Sequence, residues 1–151
     1  MSKFTEAGGA AFTSNRDDWE TPADLYSRLN AVHHYTLDPC CTHENAKCEK
    51  HYTKEEDGLS KSWAGETVFC NPPYGRHIGD WVAKCAEESR HAKITLLIPS
   101  RTDTSYFHKY IYNKPNVRIE FIRGRVKFEL GGGRTQQRPL PVDARLLGVT
   151  A

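Results

Sequence analysis

The sequence predicts a three-layer α/β domain with a mainly parallel sheet, and three observations carry that expectation. Strand-like and helix-like stretches alternate over 35–40, 66–71, 77–91, 94–99, 104–112 and 117–128, the order in which strands joined by helices are laid down. The run Lys93-Ile94-Thr95-Leu96-Leu97-Ile98-Pro99 is almost wholly apolar, as a central strand buried on both faces requires. Between Arg76 and about His91, Ile78, Trp81, Val82, Cys85 and Ala86 recur at helical spacing, which marks a helix with one buried face.

Composition bounds the rest. A chain of 151 residues makes one domain that buries roughly 70% of its unfolded surface. With 38% hydrophobic and 26% charged residues it has an ordinary soluble composition. No apolar run approaches the roughly 20 residues of a membrane span, and Met-Ser-Lys-Phe-Thr-Glu at the start has no apolar signal region, so the expected location is the cytoplasm. A net charge of +2 argues against a strongly basic body and leaves binding to local clusters. The five cysteines, Cys40, Cys41, Cys48, Cys70 and Cys85, are odd in number and are expected as free thiols. Residues 1–15, with Gly8-Gly9 and small polar side chains, read as a mobile arm ahead of a single domain over 16–151.

Taken in order, Thr21 and Pro22 form a helix start, a hydroxyl cap followed by proline at the first helical position, with Leu25, Leu29 and Val32 as the apolar stripe of a helix over 22–32. Tyr35-Thr36-Leu37-Asp38-Pro39-Cys40 reads as a short strand ending in an acid and a proline, at the carboxyl edge where ligands sit in doubly wound folds. Glu44 to Lys50 suits one or two helical turns, His51-Tyr52-Thr53 a brief strand, and Lys54 to Leu59 a polar loop containing Asp57. Ser60 to Glu66, with Trp63, leads into the next strand. Thr104 to Tyr112 is expected to be helical, with Tyr106, Phe107 and Tyr110 packing. Val117 to Ile122 and Arg125 to Phe128 alternate in strand fashion around Arg123-Gly124, which suggests a hairpin or tight bend. Gly131-Gly132-Gly133 and Pro139-Leu140-Pro141 precede Val142 to Val149, a last strand of only fair quality that would leave a sheet edge weakly paired.

The chemistry is expected where the strand Val68-Phe69-Cys70 runs into Asn71-Pro72-Pro73-Tyr74-Gly75. The prolines remove two backbone donors and leave nearby carbonyls free to face a ligand. Asn71 adds a side-chain acceptor and Tyr74 a flat apolar face. Such a tip can accept both protons of an exocyclic amine while the ring that carries it is stacked.

Asn71-Pro72-Pro73-Tyr74 resembles the catalytic tetrad of amino-methyltransferases that use S-adenosylmethionine. Together with Trp19-Glu20-Thr21-Pro22, Leu37-Asp38-Pro39-Cys40, His43-Glu44-Asn45-Ala46, Asp57-Gly58-Leu59, Pro99-Ser100-Arg101-Thr102-Asp103-Thr104 and Phe121 to Phe128, it makes the chain similar to the phage-type DNA N-6-adenine methyltransferases from about residue 17 to 128. The resemblance implies a reduced Rossmann-like methyltransferase fold, since only 32 residues lie between Asp38 and Asn71. It implies S-adenosylmethionine held by Trp19, Thr21, Pro22, Asp38, Pro39, Cys40, Asp57 and Asn71, and methyl transfer to adenine N6 in duplex DNA at Asn71, Pro72, Pro73 and Tyr74. Asp38-Pro39 here is followed by Cys40-Cys41-Thr42-His43 without the glycines of the fuller donor motif. The base must be flipped out of the stack to reach such a site, and Arg76, Arg101, Arg123, Arg125 and Lys127 are the basic residues placed to hold phosphates. A phage or prophage origin and protection of DNA from restriction follow from the same resemblance.

Two other readings fit parts of the sequence. The tetrad also serves enzymes acting on RNA adenine or protein glutamine. Cys40 or Cys41 with His43, Cys48 and His51 would suit a zinc-stabilised nucleic-acid-binding module, although the spacing matches no common zinc pattern.

Overall fold

Successive side chains of a strand point to opposite faces, and in this protein that alternation builds two cores. The structure is a computed structural model describing residues 21–122, 127–130, 134–137 and 144–149. The expected arm over 1–15 and Trp19 lie outside the described residues. Strand β1 (Thr67–Cys70) pairs in parallel with β2 (Lys93–Pro99), Thr67 opposite Lys93 and Cys70 opposite Leu96. On one face, Phe69 and Leu97 pack with Leu25 of helix α1 (Ala23–His33). On the other, Val68, Cys70, Ile94, Leu96 and Ile98 pack with Trp81, Val82 and Cys85 of helix α2 (Ile78–Glu88). A helix therefore covers each face, and β2 is buried from Ile94 to Pro99 as its apolar run requires.

The remaining strands are β3 (Val117–Phe121), β4 (Lys127–Leu130), β5 (Arg134–Gln137) and β6 (Ala144–Val149). The main sheet has the order β1-β2-β6-β3, with β6 antiparallel to both neighbours. Three of its four strands thus point one way and β6 alone is reversed, so the sheet is mainly parallel in strand direction.

Several expectations change here. Val117 to Phe121 does not form a hairpin with 125–128: β3 pairs with β6, while β4 pairs with β5 in a separate two-stranded ribbon. The last strand is not a weak edge, because β6 is inserted between β2 and β3 and pairs with both, Ile94 to Pro99 on one side and Val117 to Phe121 on the other. An inserted strand has its backbone groups paired along both edges, which a lone hairpin cannot provide. The strand over 35–40 contracts to two bridges, Leu37 with Val68 and Asp38 with His51. Adjacent residues here bond to different neighbours, and Pro39 offers no N–H to extend either ladder.

Glu44 to Lys50 forms turns and bends instead of helix. Backbone N–H groups in and beside it go to side chains: Thr42 N to Asn45 Oδ1 at 2.7 Å, Asn45 N to Thr42 Oγ1 at 3.1 Å and Lys47 N to Asp38 Oδ2 at 3.0 Å. The helix over 104–112 is centred on a π-helical stretch, Phe107–Ile111, closed by Tyr112 N to Phe107 O at 2.8 Å. Val32 is exposed, and Tyr26 joins Leu29 on the packed face of α1.

Trp63 ties the loop before β1 to α2. Its side chain is fully buried, its Nε1 donates to Gly58 O at 3.1 Å and its backbone N–H donates to Glu88 Oε1 at 2.6 Å. Burial alone would raise the Glu88 pKa, but the Trp63 N–H and Lys84, 3.1 Å from Glu88 Oε2, hold it below its ordinary value. Trp63→Ala is expected to lower the unfolding free energy by about 3–5 kcal/mol, read from the midpoint of urea denaturation followed by circular dichroism.

Candidate active site

Parallel pairing brings the carboxyl ends of β1 and β2 to one edge of the sheet, and the Leu37 bridge brings Asp38 to the same edge. There the chain encloses a cleft of about 770 Å³, within the range of ligand sites. Asn71 and Pro73 from the end of β1, Asp38 and Pro39 beside it, Asp57 and Gly58 from the following loop, and Thr21 ahead of α1 all line it.

Thr21 is not the helix cap that the sequence suggests. Pro22 occupies the N-cap position of α1, with φ −56° and ψ 140° and no side-chain cap bond. The Thr21 hydroxyl, only 2% exposed, instead accepts a hydrogen bond from Asn71 Nδ2 at 2.8 Å. The competing donor decides the matter, since a hydroxyl turned into the cleft toward Asn71 is not directed at the first turn of its own helix.

Along the tip, Pro72 is buried and the half-buried Tyr74 packs against the Leu25, Phe69 and Leu97 cluster. Asn71 and Pro73 are the members of the tetrad that line the cleft, followed by Gly75 and the exposed Arg76 and His77.

Asp38 is buried, and its two oxygens hold the adjoining loop: Oδ1 accepts the Cys40 N–H at 3.3 Å and Oδ2 the Lys47 N–H at 3.0 Å. Burial pushes its carboxyl up to about 6, more than these bonds pull it down. Cys41 Sγ adds a donor to Asp38 O at 3.6 Å. On the loop that follows, Asp57 is exposed and left-handed, at φ 59°, a conformation that non-glycine residues adopt sparingly. Gly58 follows it because a Cβ there would stand 2.1 Å from Pro39 O. The absence of a side chain at Gly58 lets this loop pack directly against Pro39.

Of the other expected site residues, Cys40 lines the cleft, Pro22 begins α1, and Arg101 is exposed just beyond β2. Lys127 is the first residue of β4, while Trp19, Arg123 and Arg125 lie outside the described residues. The fold also brings Asn45, Lys47, Thr53, Lys54 and His77 to the cleft, none of which sequence reasoning selected. Lys54 stands in a charged run that reads as solvated loop, and the spacing of Thr42 and Asn45, whose side chains exchange backbone hydrogen bonds in the structure, is the local pattern that marks an ordered wall.

The zinc reading does not assemble: among the described residues, no group of three or more His, Cys, Asp or Glu side chains is placed to hold a metal. Local partners occupy the would-be ligands. Cys41 donates to the Asp38 and Tyr52 carbonyls, Cys48 lies 3.6 Å from the Tyr26 hydroxyl, and His51 Nδ1 donates to the Cys48 and Glu49 carbonyls while its Nε2 faces His43 Nδ1 at 2.9 Å. All five cysteines are free.

Comparison with known proteins is decisive at the level of family. The profile of the DNA N-6-adenine-methyltransferase (Dam) family matches residues 9–144. The chain belongs to this family. It is 35% identical over 95 residues to the DNA N-6-adenine-methyltransferase of Escherichia phage T1, a match covering 61% of this chain and 40% of that protein. It is 26% identical over 141 residues to the DNA N-6-adenine-methyltransferase of Haemophilus phage HP1 (strain HP1c1), covering 85% of this chain and 76% of that protein. The chain thus matches less than half the length of the T1 relative. The Dam profile spans the described residues that line the cleft, from Thr21 through Asn71 to Trp81.

Two outcomes follow for this member of the Dam family. A carboxyl raised from 3.8 to about 6 binds its proton in the folded state before the unfolded one, so Asp38 adds stability as pH falls from 6 to 4 and detracts from it above 6. Unfolding free energies of the wild type and Asp38→Asn, compared between pH 7 and pH 4, should therefore shift in favour of the wild type by on the order of 2–3 kcal/mol on acidification. Gly58→Ala drives a methyl into Pro39 O, and should lower the thermal midpoint by several degrees for each kcal/mol lost, read by differential scanning fluorimetry.

Proposed function

We propose that this protein transfers a methyl group from S-adenosylmethionine to the exocyclic N6 amino group of adenine in DNA. The observation that carries the reading is Asn71: its amide stands at the carboxyl end of β1, in the wall of the cleft, with its nitrogen held by Thr21. Membership of the Dam family and the printed names of its phage relatives support the same substrate.

The cleft suits the donor in size and chemistry. Pro39, Leu59, Phe69 and Trp81 provide apolar wall for a purine, and Asp57 is an exposed carboxylate on the loop for ribose hydroxyls. Asp38, Pro39 and Cys40 line the remaining length, Pro22 follows Thr21 at the start of α1, and Asp38 is the carboxylate offered to the donor's ammonium group. When bound, S-adenosylmethionine supplies an electrophilic methyl on a sulfonium. A helix on each face of a mainly parallel sheet, with the cleft at its carboxyl edge, supports a reduced Rossmann-like, three-layer arrangement carried by one domain over 16–151.

The work of the chain is to make the amino nitrogen nucleophilic. Its lone pair is delocalised into the adenine ring. The Asn71 side-chain oxygen and the Pro72 carbonyl accept its two N–H bonds, favour a tetrahedral nitrogen and stabilise the positive charge that develops during attack. Pro73 stiffens the tip so that these acceptors do not need to reorganise. The part of the Tyr74 ring left outside its cluster is the stacking surface for a flipped base. Arg76 at the cleft mouth, with Arg101, Arg123, Arg125 and Lys127, contacts phosphates, and Lys47, Lys54 and His77 extend that rim. The site is built for duplex DNA in a bacterial cytoplasm, where a phage enzyme of this kind protects DNA from restriction. Among the described residues no helix is long and apolar enough to cross a membrane.

The test is to incubate the purified protein with labelled S-adenosylmethionine and unmethylated duplex DNA, then digest the DNA to nucleosides. Labelled N6-methyladenine is expected, falling by at least about 100-fold in Asn71→Ala. Label on RNA or on protein glutamine in parallel incubations, with none on DNA, would replace the substrate.

A further inference from the structure

We propose that Thr21 is a positioning residue, whose hydroxyl oxygen holds the Asn71 amide with its carbonyl end turned toward the incoming amino group. The inference rests on the reading above and adds to it what sets the acceptor.

An asparagine amide is almost symmetric in shape but opposite in chemistry at its two ends. A half-turn about its last bond replaces an acceptor with a donor at little steric cost. Toward an amino group the difference is decisive: the carbonyl end accepts N–H, and the amino end meets it donor to donor. Something in the protein must therefore choose the rotamer.

Thr21 is the partner in place to do so. Its hydroxyl is buried, and Asn71 Nδ2 donates to it at 2.8 Å. A lone pair at that point, in the cleft wall, engages the amide nitrogen and so fixes which end of the amide is the acceptor. Without it, the productive rotamer loses this hydrogen bond and the two rotamers come closer in energy.

Thr21 is also held where this requires. It does not cap α1, so no helix N–H competes for its oxygen. Leu25, one turn along α1, packs in the same cluster as Phe69, which lies two residues before Asn71 on β1. Tyr26 N donates to Pro22 O at 3.0 Å and fixes the backbone in between. Donor and acceptor are anchored to one piece of core.

The proposal separates Thr21 from a residue that merely touches the methyl donor, and the variants distinguish the two roles. Thr21→Val keeps the shape and removes the lone pair. It should lower the single-turnover methylation rate at saturating donor and DNA about 10- to 100-fold, the rate equivalent of that lost bond, with donor affinity by calorimetry changed less than about threefold. Thr21→Ser, which retains the hydroxyl, should recover most of the lost rate. Nuclear magnetic resonance of the free protein gives a readout independent of turnover: one Asn71 side-chain amide proton should exchange slowly in the wild type and Thr21→Ser, and rapidly in Thr21→Val. Rates are normalised to folded protein by donor binding sites titrated in each sample. Weakened donor binding with an unchanged rate in Thr21→Val, equal losses in Val and Ser, or unprotected Asn71 amide protons in the wild type would each overturn the proposal. Should Asn71→Ala itself retain transfer, the adenine reading fails first; loss in Asn71→Ala with a normal rate in Thr21→Val removes only the role of Thr21.

Discussion

The structure depends on the placement of Phe69. Its N–H donates to Leu37 O at 3.0 Å, which fixes the segment leading to Asp38 against β1. Its ring lies 5.2 Å from Tyr26 and 5.3 Å from Tyr35, centre to centre, which seats α1 on the sheet. It also lines the cleft, two residues before Asn71. One buried aromatic thus sets three positions at once, the acid, the helix that follows Thr21 and the tip. Interiors packed to near-crystalline density transmit a shift of any one of these to the others.

The second organising feature is the loop between Asp38 and Trp63, which has little regular secondary structure and is nevertheless ordered as a wall. Its polar groups account for this. Asp38 accepts two backbone N–H groups, Thr42 and Asn45 exchange two more, and Glu56 Oε1 accepts the N–H and hydroxyl of Thr53. Trp63 then holds Gly58 O from below. A loop whose backbone groups are satisfied by its own side chains can be buried on one side without a ladder. A ligand-binding wall benefits, because its shape does not have to be reorganised at each turnover. It also gives Asp38 a structural duty beside any contact with a ligand, and its raised carboxyl pKa reflects how far that duty has taken it from water.

Residue pattern alone determined the elements whose signal is local. The apolar run of β2, the helical spacing of Trp81, Val82 and Cys85, and the strand that stops at Cys70 before Asn71 are all where the sequence puts them. Eight of the thirteen expected site residues that the structure describes also meet in one cleft, because strand ends in a parallel arrangement share an edge and motifs at those ends converge. What pattern could not supply was partner choice. Val117 to Phe121 alternates like half of a hairpin, yet its ladder is completed by β6, because a strand presents the same backbone groups to any neighbour that arrives. Thr21 before Pro22 reads as a cap, yet its hydroxyl meets Asn71, 50 positions away. Sequence specified which groups could donate or accept and which faces had to be buried; the tertiary fold decided which of several chemically equivalent partners each would find, since that choice depends on distance across the core and not on distance along the chain.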